Sequence, residues 1–152
     1  MNNIPKPALF LGLAGLIPFI ASAALILSNS LFSFEFVELP NGARLMAWRV
    51  MIIYGLIICG FMSGVQWGFV VKLEEWHYYL LSVIVPIALF LSLMLLSDDN
   101  IRGALVALIA GFMGVFAIDI YLQRQSIAPV WWLSLRAPLT VTVILCLAIG
   151  LF

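Results

Sequence analysis

Charge is what this chain has least of. Asp, Glu, Lys and Arg together make up 9% of its 152 residues, against about 25% in an ordinary soluble domain. Seven basic residues balance seven acidic ones, so no surplus of positive charge draws the chain to nucleic acid. There is one histidine, His77, and there are two cysteines, Cys59 and Cys146, far apart in apolar runs. That inventory offers no metal-ligand spacing, no disulfide framework and no pair of axial histidines for haem. A glycine-rich phosphate loop, a nucleophile elbow and a zinc-protease helix are also missing. Ser63, Ser82 and Ser134 have no neighbouring base in sequence to activate them as nucleophiles. The reading leans against an enzyme and expects no cofactor.

What the chain has instead is apolar surface. Apolar types make up 65% of it, and its mean hydropathy is +1.20. A soluble fold of this size has no interior large enough to hide that much. Charge-free runs at 7–34, 50–71 and 76–97 each exceed the roughly 20 residues a helix needs to cross the bilayer. Two more, 103–118 and 137–152, have 16 residues each and reach only about 24 Å. To span, the fourth takes in Asp119, and the fifth begins near Leu133 and takes in Arg136. The segments lack the strict alternation of barrel strands. The expectation is an all-α integral membrane bundle, one domain over 1–152, with five transmembrane helices at about 8–30, 48–71, 77–97, 102–122 and 133–152. Lys6, the apolar run and Ala21-Ser22-Ala23 imitate a secretory signal, but the run continues through Leu27 and reads as a retained span.

With five spans the termini fall on opposite sides. Lys6, Lys72, Arg124 and Arg136 lie on the N-terminal side, and Arg44, Arg49 and Arg102 on the other. The positive-inside rule then puts the N-terminus in the cytoplasm. The connection at about 31–47 carries Phe32, Phe34 and Phe36 in alternation before Pro40-Asn41-Gly42. It reads as an interfacial segment with its aromatics at headgroup level. The 123–132 connection, with Pro129 and Trp131-Trp132, reads as a turn with an aromatic belt.

Helices in lipid associate through close backbone approach and interhelical hydrogen bonds. In the second span Gly60, Gly64 and Gly68 fall at i, i+4 and i+8, flanked by Cys59 and Ser63, with Gly55 above. The fourth span repeats the device with Gly103, Ala107, Gly111 and Gly114, and the first carries Ala8, Gly12 and Gly15. These faces are expected to pack within the chain, with a homodimer face as the alternative. Pro18 and Pro86 should kink their helices.

Topology also gathers the intramembrane polar residues. The second and fourth spans end on the side where the third and fifth begin, so Gln66, Trp67, His77, Asp119 and Arg136 share one leaflet. The short connection makes the last two spans antiparallel neighbours, and an Arg136–Asp119 ion pair follows, with Gln66 and Thr140 completing the network. Thr140 lies at i+4 from Arg136, on the same face. The cluster is either a clamp between the last two helices, or an Arg136 that snorkels to the headgroups at this shallow depth, or a ligand, quinone-headgroup or proton site. His77, beside Glu74 and Glu75 in a short loop, is expected to face water.

Several stretches resemble one family. Tyr54-Gly55 followed by Gly60-Phe61-Met62-Ser63-Gly64-Val65-Gln66-Trp67-Gly68 resembles the signature of the domain of unknown function 3429 family. Gly12-Leu13-Ala14-Gly15-Leu16-Ile17-Pro18-Phe19, Ser82-Val83-Ile84-Val85-Pro86, and Pro129-Val130-Trp131-Trp132-Leu133-Ser134-Leu135-Arg136 leading to Leu139-Thr140 are similar to it as well. Asp119 sits where that family tends to carry an Asp late in the fourth helix. Ser63 departs from the pattern, standing where a second glycine is expected. The resemblance spans nearly the whole chain and implies a five-helix protein of the bacterial inner membrane or the mitochondrion. It implies no activity.

Two functional readings follow. The preferred one is a non-catalytic accessory subunit, assembly factor or scaffold that docks into a larger membrane complex, such as a respiratory one, or into a homo-oligomer. It rests on the small size, the short loops and the glycine faces. The other is a protein that binds a quinone or membrane lipid, or handles protons or a small molecule, at the level of Gln66, Trp67, Asp119, Arg136 and Thr140.

Overall fold

The computed structural model describes residues 4–31, 42–96 and 100–152, with side chains through residue 28 in the first of these. The expected connection at 31–47, with its three phenylalanines, falls mostly outside the described residues. Among the described residues six helices follow one another: α1 (Lys6–Ala14), α2 (Ile17–Leu31), α3 (Ala43–Val70), α4 (Trp76–Leu95), α5 (Ile101–Arg124) and α6 (Trp132–Ile149). They make five stretches long and apolar enough to cross a membrane, because α1 and α2 together form the first, Lys6–Ser28. The other four expected spans coincide with α3 to α6 within a few residues.

The first span is broken rather than merely kinked. Pro18 has no N–H to give the carbonyl of Ala14, so the ladder of hydrogen bonds fails there. The chain turns at Gly15-Leu16, where the Leu16 amide bonds the Leu13 carbonyl at 3.0 Å, and a new helix starts with Pro18 in its first turn. The Tyr54 hydroxyl of α3 donates to the Gly15 carbonyl at 3.2 Å. The short α1 buries none of its residues.

Helices α2, α3, α5 and α6 form a ring of four, each touching the next, and α4 lies outside it against α3 and α5. Phe19, Met51, Leu105, Leu108, Phe112 and Leu147 fill the ring. At the far end from the polar cluster, the Trp48 indole donates to the Gly150 carbonyl at 2.9 Å and an Arg44 guanidinium nitrogen donates to the Phe152 carbonyl at 2.6 Å. Those bonds serve carbonyls left open past the end of α6. They also explain why α3 starts at Ala43, five residues before the expected boundary, with Gly42 preceding it at φ 103°. That left-handed backbone is one that glycine adopts without strain.

The face α3 turns inward is not the one the glycine row suggested. Its buried residues are Ala47, Met51, Gly55, Cys59, Ser63, Gln66 and Val70, at spacings of four and once of three. Gly60, Gly64 and Gly68 lie one residue further round, exposed, and a Cβ at any of them would meet no described atom within 4 Å. Within the chain the row packs against nothing described. The close approach is made instead by Gly55, where a Cβ would stand 3.1 Å from the Leu108 side chain of α5. Ser63 supplies the matching link to α4, donating its hydroxyl to the Ser82 carbonyl. In α5, Gly111 is a packing glycine: a Cβ there would lie 3.2 Å from Leu89 and 3.7 Å from Cys59. Gly103 is not; its neighbour is the Asn100 side chain, which caps α5 by accepting from the Gly103 amide at 2.9 Å.

Two substitutions test this assignment of faces. Gly55→Leu should destabilise the bundle by about 1–3 kcal/mol, the usual cost of overpacking a tight contact. Gly64→Leu should leave thermal unfolding in mild detergent close to that of the parent. A larger loss at Gly64 than at Gly55 would mean that the glycine row is the internal face after all.

Candidate functional site: a buried polar cluster beside an intramembrane cavity

The connection between α5 and α6 is built to hold register. Gln123, in the last turn of α5, donates its side-chain amide to the Val130 carbonyl at 3.0 Å and accepts from the Leu133 amide at 3.1 Å. Ser126 takes the left-handed conformation, φ 59°, at the turn between. This staple fixes the start of α6 against the end of α5, which brings Arg136 level with Asp119.

The two then pair directly. Arg136 Nε donates to Asp119 Oδ2 at 3.1 Å, with the side chains 6% and 1% exposed. Gln66 of α3 closes the cluster by donating Nε2 to Asp119 Oδ1 at 3.0 Å and to the Val115 carbonyl at 2.8 Å. Both carboxylate oxygens are thus engaged by different helices, and one buried Asp ties α3, α5 and α6 together. Burial this complete argues against a snorkelling Arg136, since its guanidinium is turned inward against a carboxylate.

Of the residues expected here, Gln66, Asp119 and Arg136 are joined, and Thr140 is buried beside them. Trp67 is not part of the cluster. It is 44% exposed and packs edge-on against Tyr79 of α4, ring centroids 5.0 Å apart. The physical reason is the 100° turn per residue of a helix: when Gln66 faces in, Trp67 faces out. His77 stands half-buried, its imidazole 3.4 Å from the Glu75 carboxylate.

The aromatic that does belong is Trp132, which the sequence suggested only as an interface residue. It is buried, and the Arg136 guanidinium lies 6.0 Å from its ring centre. Trp132, Arg136 and Thr140 fall at i, i+4 and i+8, one face of α6, at steps of about 6 Å. That spacing was the available signal. All three line a cavity of ≈ 290 Å³ between α1, α2, α3, α5 and α6. The rest of its wall is apolar, including Leu135, Leu139 and Val143 on the neighbouring face of α6, with Phe19 and Met62 opposite. Leu11 and Phe61, also in the wall, are 68% and 61% exposed, so the cavity opens on the flank of the bundle between α1 and α3.

The three polar residues share one more property. Trp132 Nε1, Arg136 Nη2 and Thr140 Oγ1 are buried and, among the described residues, have no hydrogen-bond partner; Gln66 Oε1 is in the same condition but its residue does not line the cavity. Buried polar atoms are nearly always partnered, so orphans of this kind call for an explanation such as a ligand. No group of three or more His, Cys, Asp or Glu side chains able to hold a metal is present among the described residues.

Comparison with known proteins bears on the whole length. Residues 4–152 match the model of a family described as "Protein of unknown function (DUF3429)". The chain is 37% identical over 152 residues to Transmembrane protein 69 of Xenopus tropicalis, covering 97% of this chain and 54% of that one. It is 30% identical over 138 residues to Transmembrane protein 69 of Mus musculus, covering 87% and 50%. The chain therefore spans about half the length of these relatives. No solved structure matches it.

The cluster makes an ordered prediction. Asp119→Asn should destabilise the protein by about 3–5 kcal/mol, because it strips a buried guanidinium of its counter-charge. Gln66→Leu should cost less, about 1.5–3 kcal/mol, since it removes a hydrogen bond to a charged group but leaves the pair intact. Thermal unfolding of both variants in the same detergent gives the order; the reverse order would show that the amide, not the ion pair, holds the three helices.

Proposed function

The chain belongs to the DUF3429 family, and from that premise we propose that it is a non-catalytic membrane protein that holds one membrane-dissolved amphiphile in the cavity beside α6. A single observation carries this reading: three buried side chains on one face of α6, each with an unpartnered polar atom, line the same otherwise apolar space. At ≈ 290 Å³ the space is near the lower bound, about 300 Å³, of small-molecule sites. It suits a headgroup or ring whose tail leaves through the opening beside Leu11 and Phe61. A clamp alone accounts for Asp119, Gln66 and Arg136 Nε, but gives Thr140 and the Trp132 indole nothing to do.

The accessory-subunit reading, with docking into a larger complex such as a respiratory one or into a homo-oligomer, keeps one observation of its own. The row Gly60, Gly64, Gly68 is exposed and uncovered by any described atom, and such rows let a second helix approach closely. If that is its use, Gly64→Leu abolishes co-purification of the partner while leaving the purified protein as stable as before. We further place the protein in a bacterial inner membrane with its N-terminus in the cytoplasm. The basic tally is four against three with Arg136 counted and level without it, so reporter fusions at either end decide the orientation.

The amphiphile reading is tested by filling the cavity from its least packed wall. Ala8 lines the cavity from α1, a helix with no buried residue, so Ala8→Phe should occupy the space without disturbing the core. Native mass spectrometry and organic extraction should find a bound amphiphile in the parent protein and several-fold less in Ala8→Phe, at similar thermal stability. Equal content in both would overturn the reading.

A further inference from the structure

We infer that the molecule held beside α6 presents an uncharged carbonyl oxygen to the Trp132–Arg136–Thr140 row, as a quinone ring or a glycerolipid ester does. This rests on the amphiphile reading above and adds the chemistry of the head.

The argument begins with the direction of the unsatisfied bonds. An indole N–H and a guanidinium N–H only donate, and a threonine hydroxyl donates or accepts. So Trp132 Nε1, Arg136 Nη2 and Thr140 Oγ1 together ask for an acceptor. An alcohol or amine head brings donors of its own to a row already rich in them. The acceptors left in the cluster, Gln66 Oε1 and the remaining lone pairs of Asp119, offer such a head little, since neither residue lines the cavity.

Charge comes next. Arg136 already has a full counter-ion at 3.1 Å. A carboxylate or phosphate entering the cavity would put a second negative charge against one guanidinium, beside Asp119, in an apolar wall. The like-charge repulsion and the loss of hydration both oppose it. A carbonyl oxygen accepts from Arg136 Nη2 without adding charge, and a charged donor makes a stronger bond than a neutral one. The remaining wall, with Phe19, Met62 and Leu139, is suited to a ring or an alkyl stem. A quinone and an ester share this chemistry, and the experiment separates them.

The test uses variants that leave the ion pair alone. Thr140→Val removes a hydroxyl that has no internal partner, so the fold should lose no hydrogen bond and thermal stability should hold or rise. The purified full chain, delipidated in mild detergent, is titrated with decyl-benzoquinone, dioctanoylglycerol, dodecanoate and decylbenzene. At least one carbonyl probe is expected to bind about tenfold more tightly than decylbenzene, the value of one such hydrogen bond, and dodecanoate to bind no better than decylbenzene. Thr140→Val should remove most of the carbonyl preference and leave decylbenzene unchanged; Trp132→Phe, which keeps an aromatic ring, should act in the same direction. Preference for the quinone or for the glyceride assigns the source. Equal binding of all four probes, unmoved by Thr140→Val, would overturn the carbonyl assignment while leaving a cavity that binds amphiphiles. Tightest binding of dodecanoate would overturn the requirement for an uncharged head. Binding of no probe would overturn both this assignment and the reading beneath it.

Discussion

The Asp119–Arg136 ion pair is the constraint on which the rest of this bundle depends. Apolar contacts against lipid give little reason to prefer one helix arrangement over another, because a leucine is as comfortable in a lipid tail as in a neighbouring helix. A buried carboxylate is different, since it has to find its partners or stay out of the membrane. Asp119 finds Arg136 on α6 and Gln66 on α3, and those two bonds fix the azimuth of three helices at once. The Gln123 staple sets the height at which they meet. The cavity follows from this arrangement. With α6 turned so that Arg136 reaches Asp119, its Trp132–Arg136–Thr140 face is committed to the interior, and the broken first span does not fill the space in front of it.

That arrangement leaves donors on the cavity wall, while the unpartnered acceptor Gln66 Oε1 belongs to a residue that does not line it. Asp119 gives both of its oxygens to the structural links, while Arg136 uses Nε and keeps Nη2. A site assembled around a neutralised pair is polar without being charged, which sets it apart from the cationic pockets that capture anionic headgroups. It lies near one end of the spans, with α6 beginning at Trp132.

How far this was readable from the sequence divides along a simple line. Depth was legible, because charge-free runs count residues and a helix rises about 1.5 Å for each. So the five spans, the common level of Gln66, Asp119 and Arg136, and the pairing across a short connection could all be placed. Azimuth was harder. Around α3 two adjacent rows of small residues compete, Gly55-Cys59-Ser63 and Gly60-Gly64-Gly68, and nothing local says which faces inward. The deciding information is the position of Leu108 and Ser82 on other helices. Trp67 illustrates the same limit, sharing the depth of Gln66 but not its direction. Aromatic preference points Trp132 to the interface, while its four-residue spacing from Arg136 and Thr140 puts it on their face. The break in the first span required knowing that Gly15-Leu16 would yield to Pro18 rather than bend with it.

The ion pair also has a consequence for how the chain enters its membrane. The ribosome delivers α5 before α6, so Asp119 arrives without its counter-charge. A bare Asp costs roughly 2.5–3.5 kcal/mol to insert at a helix centre and less toward the end, where Asp119 stands. Only a few residues separate the end of α5 at Arg124 from the start of α6 at Trp132, and the Gln123 amide spans that turn. The economical route is for the two helices to partition together as a hairpin whose charges are already matched, making the last third of the chain a single unit of biogenesis.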